Sequence, residues 1–209
     1  MSTRFTLLSA GTLATALLLA GCTGTTTPAM NGNEQSGSIA VEATEGDYND
    51  ADVAFAMEMI MHHQQAIEMA DVFLAKDDVA PEVFALAERI KDAQQPEIDT
   101  MNKWLASWGQ EAMSGTENMG SMDGMDHGSM SGMGGMMSAE DMAALEDASG
   151  PEASRLFLEQ MIVHHEGAVE MAESELTDGQ HPLAIELAQK IIDDQTAEIA
   201  EMEELLNQL

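Results

Sequence analysis

A four-helix bundle made from two repeated αα-hairpins is the all-α fold expected of this chain. Three observations lead there. Four segments carry apolar residues at helical spacing. The second half repeats the first: Met59, His62, His63, Ala66, Glu68 and Met69 return as Met161, His164, His165, Ala168, Glu170 and Met171, at a constant offset of 102. After the turn, Gln94, Glu97, Ile98 and Met101 return as Gln195, Glu198, Ile199 and Met202 at an offset of 101. Finally, one hairpin cannot bury its apolar stripe alone, whereas two packed together can.

Residues 1–22 read as an export signal, with Arg4 followed by an apolar run, Leu7 to Ala20, too short to span a bilayer. The run ends Leu19-Ala-Gly-Cys22, which resembles the lipobox of bacterial lipoproteins. That resemblance implies that Cys22 becomes the lipidated N-terminus; the alternative is an ordinary signal peptide with an incidental cysteine. Residues 23–49 are a flexible tether rich in Thr, Gly, Ser and Asn.

The first hairpin occupies 50–109. Asn49 or Asp50 caps a helix that runs to about Ala75. At about 100° per residue, Met59, Ile60, His63, Ala66, Ile67 and Ala70 share one face. His62 falls on a flank with Phe55, Glu58 and Met69, expected to be the more open side. After the turn Asp77–Pro81, Pro81 opens a second helix whose apolar face holds Gln94 at its middle. Pro96 should bend this helix or open its hydrogen-bond ladder, and Gly109 ends it.

Residues 110–150 form the connection. From Met119 to Met137 methionine recurs in a Gly/Ser matrix, and six glycines oppose a helix, so this part is expected to be disordered. Ser138-Ala-Glu-Asp141 resembles a capping box opening a short helix to about Asp147. Gly150-Pro151 starts the second hairpin, 151–209, whose helices meet at the turn Thr177–Pro182.

The formal charge is −31, from 38 acidic against 7 basic residues, a surface that repels nucleic acid and anionic lipid and attracts cations. A merely well-solvated acidic surface is the plain alternative. Methionine appears 19 times and cysteine once, so with Cys22 lipidated any soft-metal chemistry falls to Met and His. Thioethers are soft and imidazole intermediate; together they favour Cu(I), with Cu(II) also possible. A thioether needs no deprotonation to bind. The candidate ligands are Met59, His62, His63 and Met69, their repeats Met161, His164, His165 and Met171, and Met119, Met122, Met125, His127, Met130, Met133, Met136 and Met137 of the connection. Asp123 or Asp126 would add oxygen ligands for Cu(II).

Met59 and His63 stand one turn apart, as do Met161 and His165, and these four would converge if the two hairpins pack as equivalents. The plainer reading makes His63 and His165 core histidines hydrogen-bonded to Gln94, Gln195 or a Glu side chain, and the methionines packing groups. Gln94, Glu97, Gln195 and Glu198 read first as a polar network fixing helix register, and second as groups that orient imidazoles.

The motifs Met59-Ile-Met-His-His63 and Ala66-Ile-Glu-Met-Ala70, with their second copies, resemble the bacterial domain-of-unknown-function family numbered 305, over residues 50–208. The resemblance implies a ferritin-like helical fold, and a periplasmic or surface copper-binding protein linked to copper tolerance. It implies His62, His63, His164 and His165 with neighbouring methionines as ligands; the long methionine-rich insert is a departure from the family pattern.

The expectation is a lipid-anchored, exported protein that sequesters copper or hands it to a transfer partner, and not an enzyme: no Ser/His/Asp set, phosphate loop or Cys-x-x-Cys is present. Two alternatives stand beside it. One is a di-iron or di-manganese oxidase, for which Glu-x-x-His pairs are lacking. The other is an acidic interaction module without metal.

Overall fold

A computed structural model describes residues 46–110 and 134–209. Five helices follow in order: α1 Asp50–Leu74, α2 Pro81–Ser107, α3 Ala139–Asp147, α4 Gly150–Asp178 and α5 Pro182–Leu206. The bundle is formed by the four long ones. α1 packs on α2, α4 on α5 and α1 on α4, whereas α2 and α5 do not pack closely. The short α3 lies against α1 and α4. Among the described residues, no helix is long and apolar enough to cross a membrane.

The expected signals act where they stand. Asn49 caps α1 by accepting from the Ala51 and Asp52 N–H groups, and the Asp52 carboxylate returns to the Asn49 N–H at 2.7 Å. Ser138 and Asp141 make the same reciprocal box on α3. Pro81, Pro151 and Pro182 sit in the first turns of α2, α4 and α5, where a missing N–H costs nothing. α2 continues unbroken through Pro96. Pro96 and Asp92 are both exposed, so water can serve the carbonyl that proline leaves without a partner. α4 extends to Asp178, two residues into the expected turn Thr177–Pro182.

Two apolar clusters fill the bundle, one at each end. The first joins Met69, Phe73, Leu86 and Ile90 to Phe157, Leu158, Met161 and Met202. Phe73 and Phe157 stack there with centroids 4.5 Å apart. The second joins Met59, Ile60, Met101 and Leu105 to Ala168, Ala172, Ala188 and Ile191. The N-terminal half of α1 thus meets the C-terminal half of α4, and the two hairpins are related by an approximate twofold axis.

The same axis relates the turns. Asp52 accepts from the Gln180 and His181 N–H groups and so ties α1 to the α4–α5 turn. Its equivalent, Ser154, accepts from the Ala80 N–H and ties α4 to the α1–α2 turn.

Candidate metal centre

Between the two apolar clusters, every long helix crosses the bundle with polar side chains: His62 and His63 on α1, Gln94 on α2, His164 and His165 on α4, Gln195 on α5. All four histidines are fully buried and both glutamines nearly so. Seven buried polar atoms of this layer have no hydrogen-bond partner: Nδ1 of His62, His63 and His165, both ring nitrogens of His164, and Oε1 of Gln94 and Gln195. A buried unpaired polar group costs about 1–3 kcal/mol, and native interiors hold few of them. A layer of such groups inside an otherwise apolar core marks a place built for something other than packing.

His62 and His164 face each other where α1 meets α4, with ring centroids 3.7 Å apart and planes inclined by 39°. His62 Nε2 lies 3.1 Å from the Gly134 carbonyl oxygen. A carbonyl only accepts, so the proton sits on Nε2 and the Nδ1 lone pair is free. Burial, with neighbouring His63 and His165 adding repulsion against the Gly134 contact, lowers the His62 pKa to about 3. Burial first, then the other histidines, puts His164 well below the ordinary value. Both rings therefore stay neutral at physiological pH, the form that ligates a metal.

These positions correct the expected geometry of the flank. His62 and His164 do not lie on an open side; they are buried against one another. The flank of α1 meets the equivalent flank of α4 across the twofold axis, and the end of the connection covers both. Gly134 and Gly135 lie on α4. A Cβ at Gly167 would stand 1.8 Å from the Gly134 oxygen, and one at Gly135 would stand 2.4 Å from the Val163 oxygen. Gly135 also has φ +79°, a conformation open to glycine. Gln65 then clamps Met137 at both backbone groups, donating to its oxygen at 2.9 Å and accepting from its N–H at 2.7 Å. Gln65 and Gly167 are repeat equivalents, one holding this strap and the other making room for it. Neither was singled out from sequence, although their mismatch across an otherwise close repeat was the available signal.

His63 and His165 meet glutamates: His63 Nε2 lies 2.8 Å from Glu97 Oε2, and His165 Nε2 lies 2.7 Å from Glu198 Oε2. A carboxylate only accepts, so each Nε2–H donates to its glutamate, and neither Nδ1 has a partner. These are the bonds expected of core histidines held by a Glu side chain, and the same arrangement orients ligating histidines in metal sites. Gln94 and Gln195 make no contact with the rings at hydrogen-bond distance. Burial raises the Glu97 pKa, but His63 and Lys190 more than offset it and hold it below the usual value.

The methionines divide. Met59 and Met161 do not converge with His63 and His165; they lie in different apolar clusters, because the twofold axis places them at opposite ends of the layer. Met69, Met137 and Met161 share one cluster. Met171 flanks the other, and Met136 is half-buried on the strap. Met119, Met122, Met125, His127, Met130 and Met133, with Cys22, lie outside the described residues. Among the described residues no three His, Cys, Asp or Glu groups converge on one point.

A paired-hairpin bundle with a buried histidine layer is the class these features define. The domain-of-unknown-function DUF305 family model matches residues 52–206, and the chain belongs to that family. A search of curated proteins finds no match. Solved structures do match. A DUF305 protein of Streptomyces coelicolor, whose designation is that of a secreted protein, is 32% identical with TM-score 0.65, over 76% of this chain and 93% of its own. A DUF305 fragment from Deinococcus radiodurans is 30% identical with TM-score 0.64, over 77% and 98%. CopM in its Cu(I)-bound form is 31% identical with TM-score 0.58, over 75% and 96%. CopM has also been crystallised with Cu(II) and with silver.

Proposed function

We propose that this chain is an extracytoplasmic copper-binding protein that sequesters copper or delivers it to a transfer partner, and that it is not an enzyme. The observation that carries the reading is the buried layer of imidazoles with unpartnered ring nitrogens. His62 and His164 are the central ligands, and His63 and His165 offer Nδ1 with a carboxylate behind each ring. Met69, Met137 and Met161 lie in the apolar cluster on one side of the layer and Met59 in the cluster on the other, with Met171 flanking it, and these are the described thioethers proposed to assist. Cu(I) is the favoured ion, since the donors are soft or intermediate and low in number. The Cu(I), Cu(II) and silver complexes of CopM support copper as the cargo. The methionine-rich insert is proposed to add further thioether positions. The lipobox-like Leu19–Cys22 supports anchoring through Cys22 on the outer face of the membrane, and the secreted designation of the Streptomyces relative supports export.

The test is Cu(I) binding against a chromogenic chelator, on the mature chain, a variant lacking residues 111–133, and a His62→Ala/His164→Ala variant. The insert-deleted chain should keep at least one tightly bound Cu(I), and the double variant without its insert should lose it. Full retention of that ion in the double variant would overturn the assignment of the histidine pair. Less than one Cu(I) bound by the intact chain would overturn the copper reading itself.

A further inference from the structure

The repeat that builds the bundle is not kept in the charges behind its histidines. Glu97 on α2 and Glu198 on α5 are equivalents at the offset of 101, and each accepts from a histidine Nε2–H, that of His63 and that of His165. Their further partners differ. Lys190 of α5 crosses to α2 and donates to Glu97 Oε1 at 2.9 Å, while Oε2 of the same carboxylate faces His63. By the repeat, Arg89 of α2 should cross to Glu198 in the same way. It meets Glu201 instead, at 2.5 Å, and among the described residues no lysine or arginine pairs with Glu198.

The neighbours of the two cations account for the difference. Asp194 stands one turn beyond Lys190 and holds its ammonium at 2.6 Å, within reach of Glu97. The equivalent of Asp194 is Ala93, which offers Arg89 no anion, whereas Glu201 does; the equivalent of Glu201 is Thr100. Asp194 also precedes Glu198 by one turn and adds negative charge on that side, where Ala93 adds none beside Glu97. Glu198 is the more exposed of the two glutamates, and water solvates it without neutralising it.

A carboxylate behind an imidazole makes the other ring nitrogen a stronger donor to a metal. An ammonium on the same carboxylate takes part of that effect away and repels a cation at the ring. Both consequences fall on His63 and spare His165. The Nδ1 atoms of both rings are buried without a partner, so the two donors differ mainly in what stands behind them.

Resting on the copper reading above, we propose that His63 and His165 are unequal metal donors, and that Lys190 is the positioning residue that sets the inequality by compensating the carboxylate behind His63. The His165 Nδ1 takes a soft monovalent ion first and releases it last; the His63 Nδ1 fills second and gives it up first. One layer thus holds a tight position and a loose one, as handing an ion on requires. A unit charge beyond one carboxylate and one ring changes a cation's affinity by about two- to tenfold at effective dielectrics of about 80 to 20. Lys190 is 54% exposed, so solvent and salt hold the difference to the low end, about two- to fourfold. The strap breaks the twofold relation as well, but it bonds His62, so substitution at Lys190 separates the two causes.

The test is nuclear magnetic resonance of the intact mature chain with 15N-labelled histidine, first metal-free and then titrated with Ag(I). Metal-free, the Nε2–H proton of His165 should resonate further downfield than that of His63, because an uncompensated carboxylate is the stronger acceptor. Lys190→Met should move the His63 proton toward the position of His165. Arg89→Met removes an equal charge at the equivalent position and should move neither, and Lys190→Arg should keep the native difference. On adding Ag(I), the His165 Nδ1 resonance should respond first, with a two- to fourfold lower apparent Kd than His63, and Lys190→Met should erase that gap. Equal Nε2–H shifts in the native chain, His63 filling first, or equal effects of Lys190→Met and Arg89→Met would each overturn the inequality and leave the copper reading standing. Ag(I) that moves no imidazole resonance would overturn the copper reading, and the inequality with it.

Discussion

Replacing His164 by leucine should make the metal-free protein more stable while removing its response to copper. His164 is fully buried and neither ring nitrogen has a partner. Its burial therefore costs about 1–3 kcal/mol without any hydrogen bond in return. A leucine of similar volume abolishes that cost and joins the apolar clusters on either side. Loss of the ring contact with His62, 3.7 Å between centroids, returns roughly 0.5–1 kcal/mol. The net gain is about 1–2 kcal/mol. For a domain of about 150 residues, where 1 kcal/mol moves Tm by about 2–4 °C, the expected rise is about 2–8 °C. The native chain, by contrast, should gain about 2.7 kcal/mol when free Cu(I) or Ag(I) stands at a hundred times Kd. Thermal unfolding followed by circular dichroism, with the insert deleted and with or without Ag(I), reads both effects. A leucine variant that melts lower than the native chain when metal-free, or that keeps the full Ag(I)-induced rise, would refute the reasoning that this ring is held for metal.

Other perturbations test other parts of the structure. Gln65→Ala removes both hydrogen bonds that clamp Met137, and should speed Ag(I) exchange at the layer several-fold in stopped-flow competition while changing affinity little. The His62 pKa, lowered to about 3, means that the unfolded chain binds a proton that the folded chain refuses. Metal-free stability should therefore fall as pH drops from about 6.5 toward 3, and His62→Leu should flatten that limb of the Tm profile. Glu175 behaves oppositely. Burial, then Asp52 and Asp178, raises its pKa to about 8. Its contribution is whole below about pH 4.5 and is lost as pH rises through 8, so Glu175→Gln should remove this alkaline decline. Glu198→Gln leaves the amide oxygen able to accept from His165 but removes the charge; it should weaken Cu(I) binding by about tenfold or more, measured by chelator competition.

Much of this protein is written in local chemistry. Caps such as Asn49 and Ser138, the prolines at 81, 151 and 182, and the 3.6-residue recurrence of apolar groups act over one or two turns, so the helices and the hairpin repeat could be read directly. The histidine pairs could be singled out for the same reason, as candidate ligands spaced along one helix. Glu175 was passed over, although the repeat sets it opposite Phe73, an apolar core position, and that mismatch was the signal. What a helical wheel cannot supply is the partner of each face. His62 looked open because its flank carries Glu58 and Met69, yet the twofold axis turns that flank onto α4 and the strap seals it. Met59 and Met161 looked convergent with their histidines, yet antiparallel packing sends them to opposite ends. The composition of each helix was local information; whether a ring nitrogen meets a carboxylate, a carbonyl or nothing depends on residues as far away as Gly134 from His62, and only packing brings those together.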